Sequence, residues 1–230
     1  MARGKLIVID GTDGSGKATQ VEILRKRLVH EGKKVKTVDF PEYYQNFFGG
    51  FIANCLREEY YNWAHIHPKI ASIAYAADRW ESKTKIEGWL KKGYIVLANR
   101  YVSANQIHQG GKIKDPKKRK EFLGWLDEME HKVFKIPRPD IVLYLSLPIA
   151  VTLKLMKQRD VTHARQYLRR KTDVHENDRA FLENSRQSAL WLSKNLSYFK
   201  KIECSKNETI LSREVIHEKV YIELKKMFKK

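Results

Sequence analysis

Residues 5–20 read Lys-Leu-Ile-Val-Ile-Asp-Gly-Thr-Asp-Gly-Ser-Gly-Lys-Ala-Thr-Gln, and the prediction of the whole architecture starts from them. The apolar run at residues 6–9 has the length of a buried strand. Glycines follow it, and Lys17 then opens a segment with apolar residues at helical spacing, namely Val21, Leu24 and Leu28. The segment therefore predicts a strand, a glycine-rich turn and a helix.

The spacing of Gly11, Gly16 and Lys17 fits the phosphate-binding P-loop. Glycine lets the backbone close around an oxyanion, and the amide groups and dipole of the following helix favour negative charge there. Lys17 is expected to reach the β- and γ-phosphates of a nucleotide. The alternative is a glycine-rich turn by chance, which the flanking strand and helix argue against. Ala18 departs from the motif, because Ser or Thr usually follows the lysine and binds Mg²⁺ through its hydroxyl.

The composition indicates one globular domain, which we predict to span residues 1–230. The chain has 42% hydrophobic and 31% charged residues, and no apolar stretch approaches the ~20 residues of a membrane span. The N-terminus lacks the organisation of a signal peptide, and Cys55 and Cys204 lack metal-ligand spacing. We therefore expect a cytoplasmic protein with no membrane partner.

The net charge of +18 has three interpretations. It could serve nucleic acid, it could attract small phosphorylated substrates, or it could belong to a solvated, lysine-rich surface. The lysines are scattered, so we assign most of them to the surface. The chain shows no basic and aromatic strand pattern of the nucleic-acid modules, so nucleic acid is not the expected partner.

Strand-length apolar runs alternate with helical patterns along the chain. Further strands are predicted at residues 35–40, 94–98, 140–145 and 199–202. Helices are predicted at residues 69–90, 116–134, 148–156, 177–196 and 211–228. The first of them has an apolar face made by Ile70, Ile73, Ala77, Trp80 and Thr84. The alternation predicts a three-layer α/β fold of the P-loop NTPase kind, with a five-stranded parallel sheet and helices on both faces.

Residues 157–176 are rich in arginine and lysine and poor in large apolar side chains. We expect a lid whose arginines close over a bound nucleotide and keep water away from it. The candidates are Arg159, Arg165, Arg169 and Arg170. The alternative is a charged helix that faces solvent.

Ligands of parallel α/β folds bind at the carboxyl ends of the strands. Arg100 follows the third predicted strand, where it could hold an acceptor phosphate bidentately or form a structural ion pair. Phosphoryl transfer needs two substrates in line and positive charge over the transferred group. Lys17, Arg100 and the lid arginines would supply that charge.

Aromatic and amide side chains near the acceptor end suit a pocket for a nucleobase. The aromatics are Phe40, Tyr43 and Tyr75, although each of them alone also suits a hydrophobic core. Arg79 lies one helical turn after Tyr75 and shares its face. Asn105 and Gln109 offer donors and acceptors to a base edge.

Six motifs in this order resemble the bacterial thymidylate kinases, and the resemblance covers nearly the whole chain. They are IDGTDGSGKATQ at 9–20, DFP at 39–41, YAADR at 75–79, NRYVSAN at 99–105, PDI at 139–141 and DVHE at 173–176. The resemblance implies the nucleoside monophosphate kinase fold and transfer of the γ-phosphate of ATP to dTMP. It also implies Mg²⁺ and a homodimer.

The resemblance further implies roles for single residues. Lys17, Arg100 and Arg170 would be catalytic. ATP would be bound by Gly11, Thr12, Asp13, Gly14, Ser15, Gly16, Lys17, Ala18, Thr19 and Arg159. dTMP would be bound by Asp13, Phe40, Tyr43, Tyr75, Arg79, Arg100, Asn105 and Gln109. The metal would be held by Asp13 and Glu176.

Two further departures from the family pattern bear on these expectations. Asn99 stands where many relatives have aspartate, and a neutral amide binds Mg²⁺ more weakly than a carboxylate does. His108 stands where a tyrosine often excludes ribose, which bears on the choice between dTMP and UMP. The alternative functions are a kinase for another nucleoside monophosphate or deoxynucleoside, and a basic nucleic-acid-binding protein with a degenerate P-loop.

Overall fold

Parallel strands form the centre of the computed structural model, which describes residues 3–57, 59–60, 62–162 and 178–228, without the side chains of residues 64 and 158–162. The strands are β1 (Leu6–Gly11), β2 (Val35–Asp39), β3 (Ile95–Asn99), β4 (Ile141–Ser146) and β5 (Phe199–Glu203). They lie in the order β2-β3-β1-β4-β5, and each neighbouring pair is parallel. The predicted five-stranded parallel sheet is confirmed.

Helices connect the strands. They are α1 (Lys17–His30), α2 (Phe47–Leu56), α3 (Pro68–Glu81), α4 (Lys83–Lys91), α5 (Val102–Ala104), α6 (Pro116–Asp127), α7 (Ile149–Thr162), α8 (Arg179–Asn195) and α9 (Arg213–Phe228). α5 continues into the π-helix Asn105–Gln109, and α6 into the π-helix Glu128–Val133. A 3₁₀ turn, Trp63–His65, precedes α3. After β5 the chain makes a small antiparallel hairpin of β6 (Ser205–Lys206) and β7 (Thr209–Ile210).

Each face of the sheet carries its own hydrophobic core, because successive strand residues point to opposite sides. On one face, Leu6 and Val8 pack with residues of α6 and α8. On the other, Ile7 and Ile9 pack with residues of α1 and α9. All four of these β1 side chains are fully buried, as a strand covered on both sides requires. The three-layer arrangement predicted from the continuous apolar strands is therefore confirmed.

The segment predicted as one helix at residues 69–90 forms two helices, and the large side chains of its apolar face are exposed. The segment divides at Ser82 into α3 and α4, and on α3 the side chains of Ile70, Ile73 and Trp80 are 56%, 46% and 52% exposed. The buried side of α3 carries small or charged residues, which are Ala71, Ser72, Ala74, Ala76, Ala77, Asp78 and Arg79. Small side chains let α3 lie close to α2, and the buried arginine has an acidic partner in the π-helix after α6.

α7 extends further than the predicted end near residue 156. It runs to Thr162 and so enters the segment predicted as a lid. The backbone of Arg159 lies in this helix, but its side chain is outside the description, as are Arg165, Arg169, Arg170 and Glu176. Among the described residues, no helix combines the length and the apolar character that crossing a membrane requires.

Candidate active site

A cavity of about 500 Å³ opens at the carboxyl end of the sheet. It is bounded by the turn before α1, the ends of β2 and β3, α3 and the π-helix after α5. The predicted site residues that line it are Asp13, Gly14, Ser15, Gly16, Lys17, Ala18, Thr19, Phe40, Tyr43, Tyr75, Arg79, Arg100, Asn105 and Gln109. Gly11 and Thr12 are buried just before this lining. Residues far apart in the sequence thus meet in one space.

The turn before α1 has the backbone of an anion-binding loop. Gly14 and Gly16 have φ of 78° and 84°, in the left-handed region that glycine enters without steric cost. Gly16 is the N-cap of α1, and no described side chain caps the helix. The first-turn amide groups of α1 are therefore left to bind an anion at the cavity.

Lys17 is folded back over this turn. Its Nζ donates to the carbonyl oxygens of Gly11 (3.0 Å) and Thr12 (2.9 Å), and it lies 3.8 Å from Asp13 Oδ1. The side chain is only 8% exposed. These contacts fix the ammonium group beside the space that the phosphates of a nucleotide would occupy.

Arg100 enters the cavity from the end of β3 in an uncommon backbone conformation. Its φ is 63°, and its backbone N–H donates to Ile9 O at 3.0 Å. Its Nη2 donates to Asp13 Oδ1 at 2.5 Å, and its Nη1 lies 3.0 Å from His108 Nε2. The ion pair considered from the sequence therefore exists, and it stands on the cavity wall. Asp13 is the shared counter-ion of Arg100 and Lys17.

His108 connects Arg100 to helix α8. Its Nδ1 lies 3.1 Å from Ser185 Oγ, and its ring stacks on Phe181 with the centroids 5.8 Å apart. Because the guanidinium of Arg100 can only donate, His108 Nε2 accepts and Nδ1–H donates to Ser185. The position that departs from the family pattern thus contacts the arginine expected to bind the acceptor phosphate.

Aromatic residues form the opposite end of the cavity. Phe40 is 3% exposed and packs against Tyr101, with the ring centroids 5.7 Å apart. Tyr75 accepts a hydrogen bond from Trp63 Nε1 at 3.3 Å, and Tyr43 is half-buried beside these rings. Phe40 and Tyr75 therefore contribute both to the core and to the cavity wall.

Below these aromatics lies a buried polar cluster of Arg79, Asn105 and Glu130. Arg79 donates to Glu130 through Nε (2.8 Å) and Nη2 (2.7 Å), and the two side chains are 2% and 0% exposed. Asn105 Nδ2 donates to Glu130 Oε1 at 2.8 Å. Gln109 is also buried, and its Oε1 has no hydrogen-bond partner among the described residues. Sequence reasoning missed Glu130, although it lies four residues after Leu126 on the apolar face of its helix.

The segment after β5 is a second part of the site that the sequence analysis missed. Ile210, Leu211, Arg213 and Ile216 line the cavity beside the turn before α1. A hydrogen bond joins this segment to α1, because Gln20 Nε2 donates to Arg213 O at 3.0 Å. The strand-end rule applied to β5, as it was to the other strands, would have indicated it.

Oxygen donors for a cation lie at the ends of β2 and β3. Asp39 and Asn99 line the cavity with Asp13. Asn99 Oδ1 is buried without a hydrogen-bond partner in the described part of the chain. Desolvation raises the pKa of Asp39, against a lowering hydrogen bond from Asn99. No group of three or more His, Cys, Asp or Glu side chains within the described ranges could hold a metal ion unaided.

Several known thymidylate kinases resemble this chain. A family profile described as thymidylate kinase matches residues 9–215. The chain is 30% identical over 174 residues to the thymidylate kinase of Mycobacterium tuberculosis, and the aligned region covers 75% of this chain and 78% of that protein. It is 27% identical over 202 residues to that of Thermosipho melanesiensis, covering 87% and 90%. The solved thymidylate kinase of Candida albicans superposes with a TM-score of 0.71 over 99% of this chain and 94% of that one, at 22% identity.

Proposed function

The chain belongs to the thymidylate kinase family, and we propose that its central cavity is where ATP and dTMP meet end to end. The reaction is transfer of the γ-phosphate of ATP to dTMP, which gives dTDP and ADP. One observation carries the assignment to this cavity. Lys17 and Arg100 converge on the single carboxylate of Asp13, so a cation for the donor and a cation for the acceptor stand side by side.

We place the ATP phosphates at the turn before α1, where the left-handed Gly16 opens the first-turn amides of the helix. Lys17 would exchange its carbonyl partners for phosphate oxygens and stabilise charge that develops in the transition state. The adenine would pack on Leu211 and Ile216, the apolar part of the lining nearest to α1. Arg159, Arg170 and the rest of the segment 157–176 keep their proposed lid role.

The acceptor belongs at the other end of the cavity. Arg100 would hold the dTMP phosphate through its guanidinium, a geometry that suits bidentate binding. Phe40 and Tyr75 would pack on the thymine, and Arg79 with Asn105 would bind its edge. Two anchored substrates lose little further orientational freedom on the way to the transition state, and this is most of what phosphoryl transfer asks of a protein.

We propose that Mg²⁺ accompanies ATP. Asp13, Asp39 and Asn99 supply the oxygen ligands that this hard cation prefers, and the unpartnered Asn99 Oδ1 suits a ligand role. When bound, the ion neutralises charge on the phosphates. The described donors are few, so the nucleotide itself would complete the coordination. Glu176, expected from the resemblance to contribute, lies outside the described residues.

The Ala18→Thr substitution restores the hydroxyl that the P-loop lacks. We expect it to lower the Mg²⁺ concentration that gives half-maximal activity by about 10-fold, because the hydroxyl adds one oxygen ligand of the kind that Mg²⁺ prefers. The measurement is a Mg²⁺ titration of initial rate at saturating ATP. Ala18→Val, of the same shape but without a hydroxyl, is the matched control. Equal Mg²⁺ dependence in both variants would contradict a metal ligand at this position.

The exposed apolar stripe on α3 supports a homodimer. Ile70, Ile73 and Trp80 stand on this stripe, and Phe47 at the start of α2 is 74% exposed. A patch of this kind on one face is typical of a protein interface. We propose that two copies of the chain cover it.

The Ile73→Glu variant is expected to convert the dimer to monomers, because it buries a carboxylate in an apolar interface. Sedimentation velocity would then show half the wild-type mass. The control is Ile222→Glu on α9, where the replaced isoleucine is 51% exposed, compared with 46% at Ile73. A wild-type monomer, or a dimer that survives Ile73→Glu, would count against this interface.

Three expectations from the sequence stay as proposals. They are a single domain over residues 1–230, a lid at about 157–176 and a cytoplasmic location. Cys55 and Cys204 are free and buried, and burial raises the pKa of the Cys55 thiol to about 11. Such inert thiols suit a reducing compartment.

The test of the function is a coupled assay with ATP, Mg²⁺ and a panel of dTMP, dUMP, UMP and CMP. We expect dTMP to be strongly preferred over UMP and CMP. The comparisons favour neither alternative function. Preference for another nucleotide would revive the first of them, and binding of nucleic acid without any phosphorylation would revive the second.

A further inference from the structure

We infer that Glu130 orients the two side chains that read the pyrimidine edge, and thereby makes the site select a 4-oxo base over a 4-amino base. The inference rests on the proposed placement of Arg79 and Asn105 at that edge. Glu130 itself does not line the cavity, so it acts as a positioning residue.

The π-helix after α6 brings Glu130 under the cavity floor. The carboxylate is fully buried, and both of its oxygens accept hydrogen bonds. Oε2 accepts from Arg79 Nε, and Oε1 accepts from Arg79 Nη2 and from Asn105 Nδ2. A buried carboxylate is stable only when its charge is paired and its oxygens are bonded, and Arg79 with Asn105 meets both needs.

Glu130 decides which way the amide of Asn105 faces. The Nδ2 group has two hydrogens, and these go to Glu130 Oε1 (2.8 Å) and Ser72 O (3.1 Å). A flipped amide would set the carbonyl of Asn105 against two acceptors and leave both without a donor. The orientation is therefore chemically fixed, and Oδ1 is the atom that Asn105 can offer to the cavity.

Glu130 also decides which atoms of Arg79 remain available. The bidentate pair uses Nε and Nη2. Nη1 makes no hydrogen bond within the part of the chain that the structure describes, and Arg79 lines the cavity. The guanidinium can only donate. The cavity floor thus presents one acceptor, Asn105 Oδ1, and one donor group, Arg79 Nη1.

This pattern matches the edge of a 4-oxo pyrimidine. In thymine N3 carries a hydrogen and O4 accepts, so N3–H can donate to Asn105 and O4 can accept from Arg79. In a 4-amino pyrimidine N3 accepts and the amino group donates, so both contacts are reversed. A site built to hydrogen-bond one pattern rejects the other by a large factor, because its buried polar groups are left unpaired.

The test is the ratio of kcat/KM for dTMP to kcat/KM for dCMP. We expect a wild-type ratio of about 10⁴ or more. Glu130→Gln, whose amide cannot accept at both positions, is expected to reduce the ratio at least about 10-fold. The loss should lie mainly in the KM for dTMP, with the KM for ATP unchanged. Glu130→Asp keeps the charge beside Arg79 and should shift the ratio in the same direction, so it decides the matter if Glu130→Gln does not fold.

Two controls separate the possible failures. Glu42→Gln alters another buried acid, which pairs with Lys85, and should leave the ratio unchanged. Asn105→Ala should lower the ratio if the base edge is read here. If Asn105→Ala lowers it while folded Glu130 variants keep it within twofold, the role of Glu130 is overturned. If Asn105→Ala leaves it unchanged, the placement of the base fails, and the inference fails with it.

Discussion

The Lys17→Ala variant is expected to lower kcat for dTMP phosphorylation by about 10³-fold, the scale on which a single preorganised donor to the transition state acts. Lys17 Nζ sits within 3.0 Å of two carbonyl oxygens of the P-loop turn and is almost buried, so its charge is held in place before ATP arrives. The charge then acts in a site of low dielectric, where it is worth more than in water. The measurement is kcat at saturating ATP and dTMP.

The stability of Lys17→Ala and a control on the same helix separate a loss of catalysis from a loss of folding. The substitution leaves Asp13 paired with Arg100, so no buried carboxylate is orphaned and the thermal unfolding midpoint should stay within a few degrees of the wild type. Lys26→Ala on the same helix removes a lysine whose side chain is 72% exposed, and its kcat should be unchanged. Turnover of Lys17→Ala within a few-fold of the wild type would remove Lys17 from the chemistry.

The Arg100→Ala variant is expected to lower kcat/KM for dTMP by about 10²–10³-fold, mostly through a higher KM for dTMP. Losing a charge-assisted contact in a partly buried site costs on the order of 2–5 kcal/mol. The KM for ATP should change little, because the P-loop turn and Lys17 remain. Alanine bears the same left-handed φ as arginine, so the loss reports on the side chain and not on new backbone strain.

Arg138→Ala is the matched control for Arg100→Ala. Arg138 also forms a carboxylate pair, through two hydrogen bonds to Asp127, but this pair is exposed and outside the cavity. The Arg138→Ala substitution should change neither the KM for dTMP nor the KM for ATP. An Arg100→Ala enzyme with unchanged KM and kcat for dTMP would refute the acceptor role, and a larger rise in the KM for ATP would move Arg100 to the donor side.

Local chemistry made the sheet and the P-loop turn predictable. The central strands β1, β3 and β4 are apolar at successive positions, as β1 shows with four fully buried apolar residues, so their period and length are readable without tertiary information. Gly14 and Gly16 adopt the conformations that only glycine enters easily. The strand-end rule then gathered Asp13, Phe40 and Arg100 into one cavity.

Long-range contacts made other features unpredictable. Helical periodicity put Ile73 and Trp80 on one apolar face, and both are exposed, because the cavity and α2 occupy the other side of α3. Periodicity reports that a face is apolar and not whether the molecule or a second copy covers it. Glu130 was missed because its role at the site depends on its contact with Arg79, which is 51 residues away in the chain. The left-handed Arg100 has no local signal, since arginine seldom adopts that conformation.

In the ligand-free cavity, the carboxylate of Asp13 already neutralises part of the charge of Lys17 and Arg100. A polyphosphate that arrives at Lys17 and Arg100 does not meet bare cations, since it must displace an anion that the chain already supplies. The electrostatic part of the nucleotide affinity is then the difference between two interaction energies. One is that of the two cations with the polyphosphate, and the other is that of the same cations with Asp13. Dissolved salt, which competes with both, should change that affinity less steeply than a chain of net charge +18 would otherwise suggest.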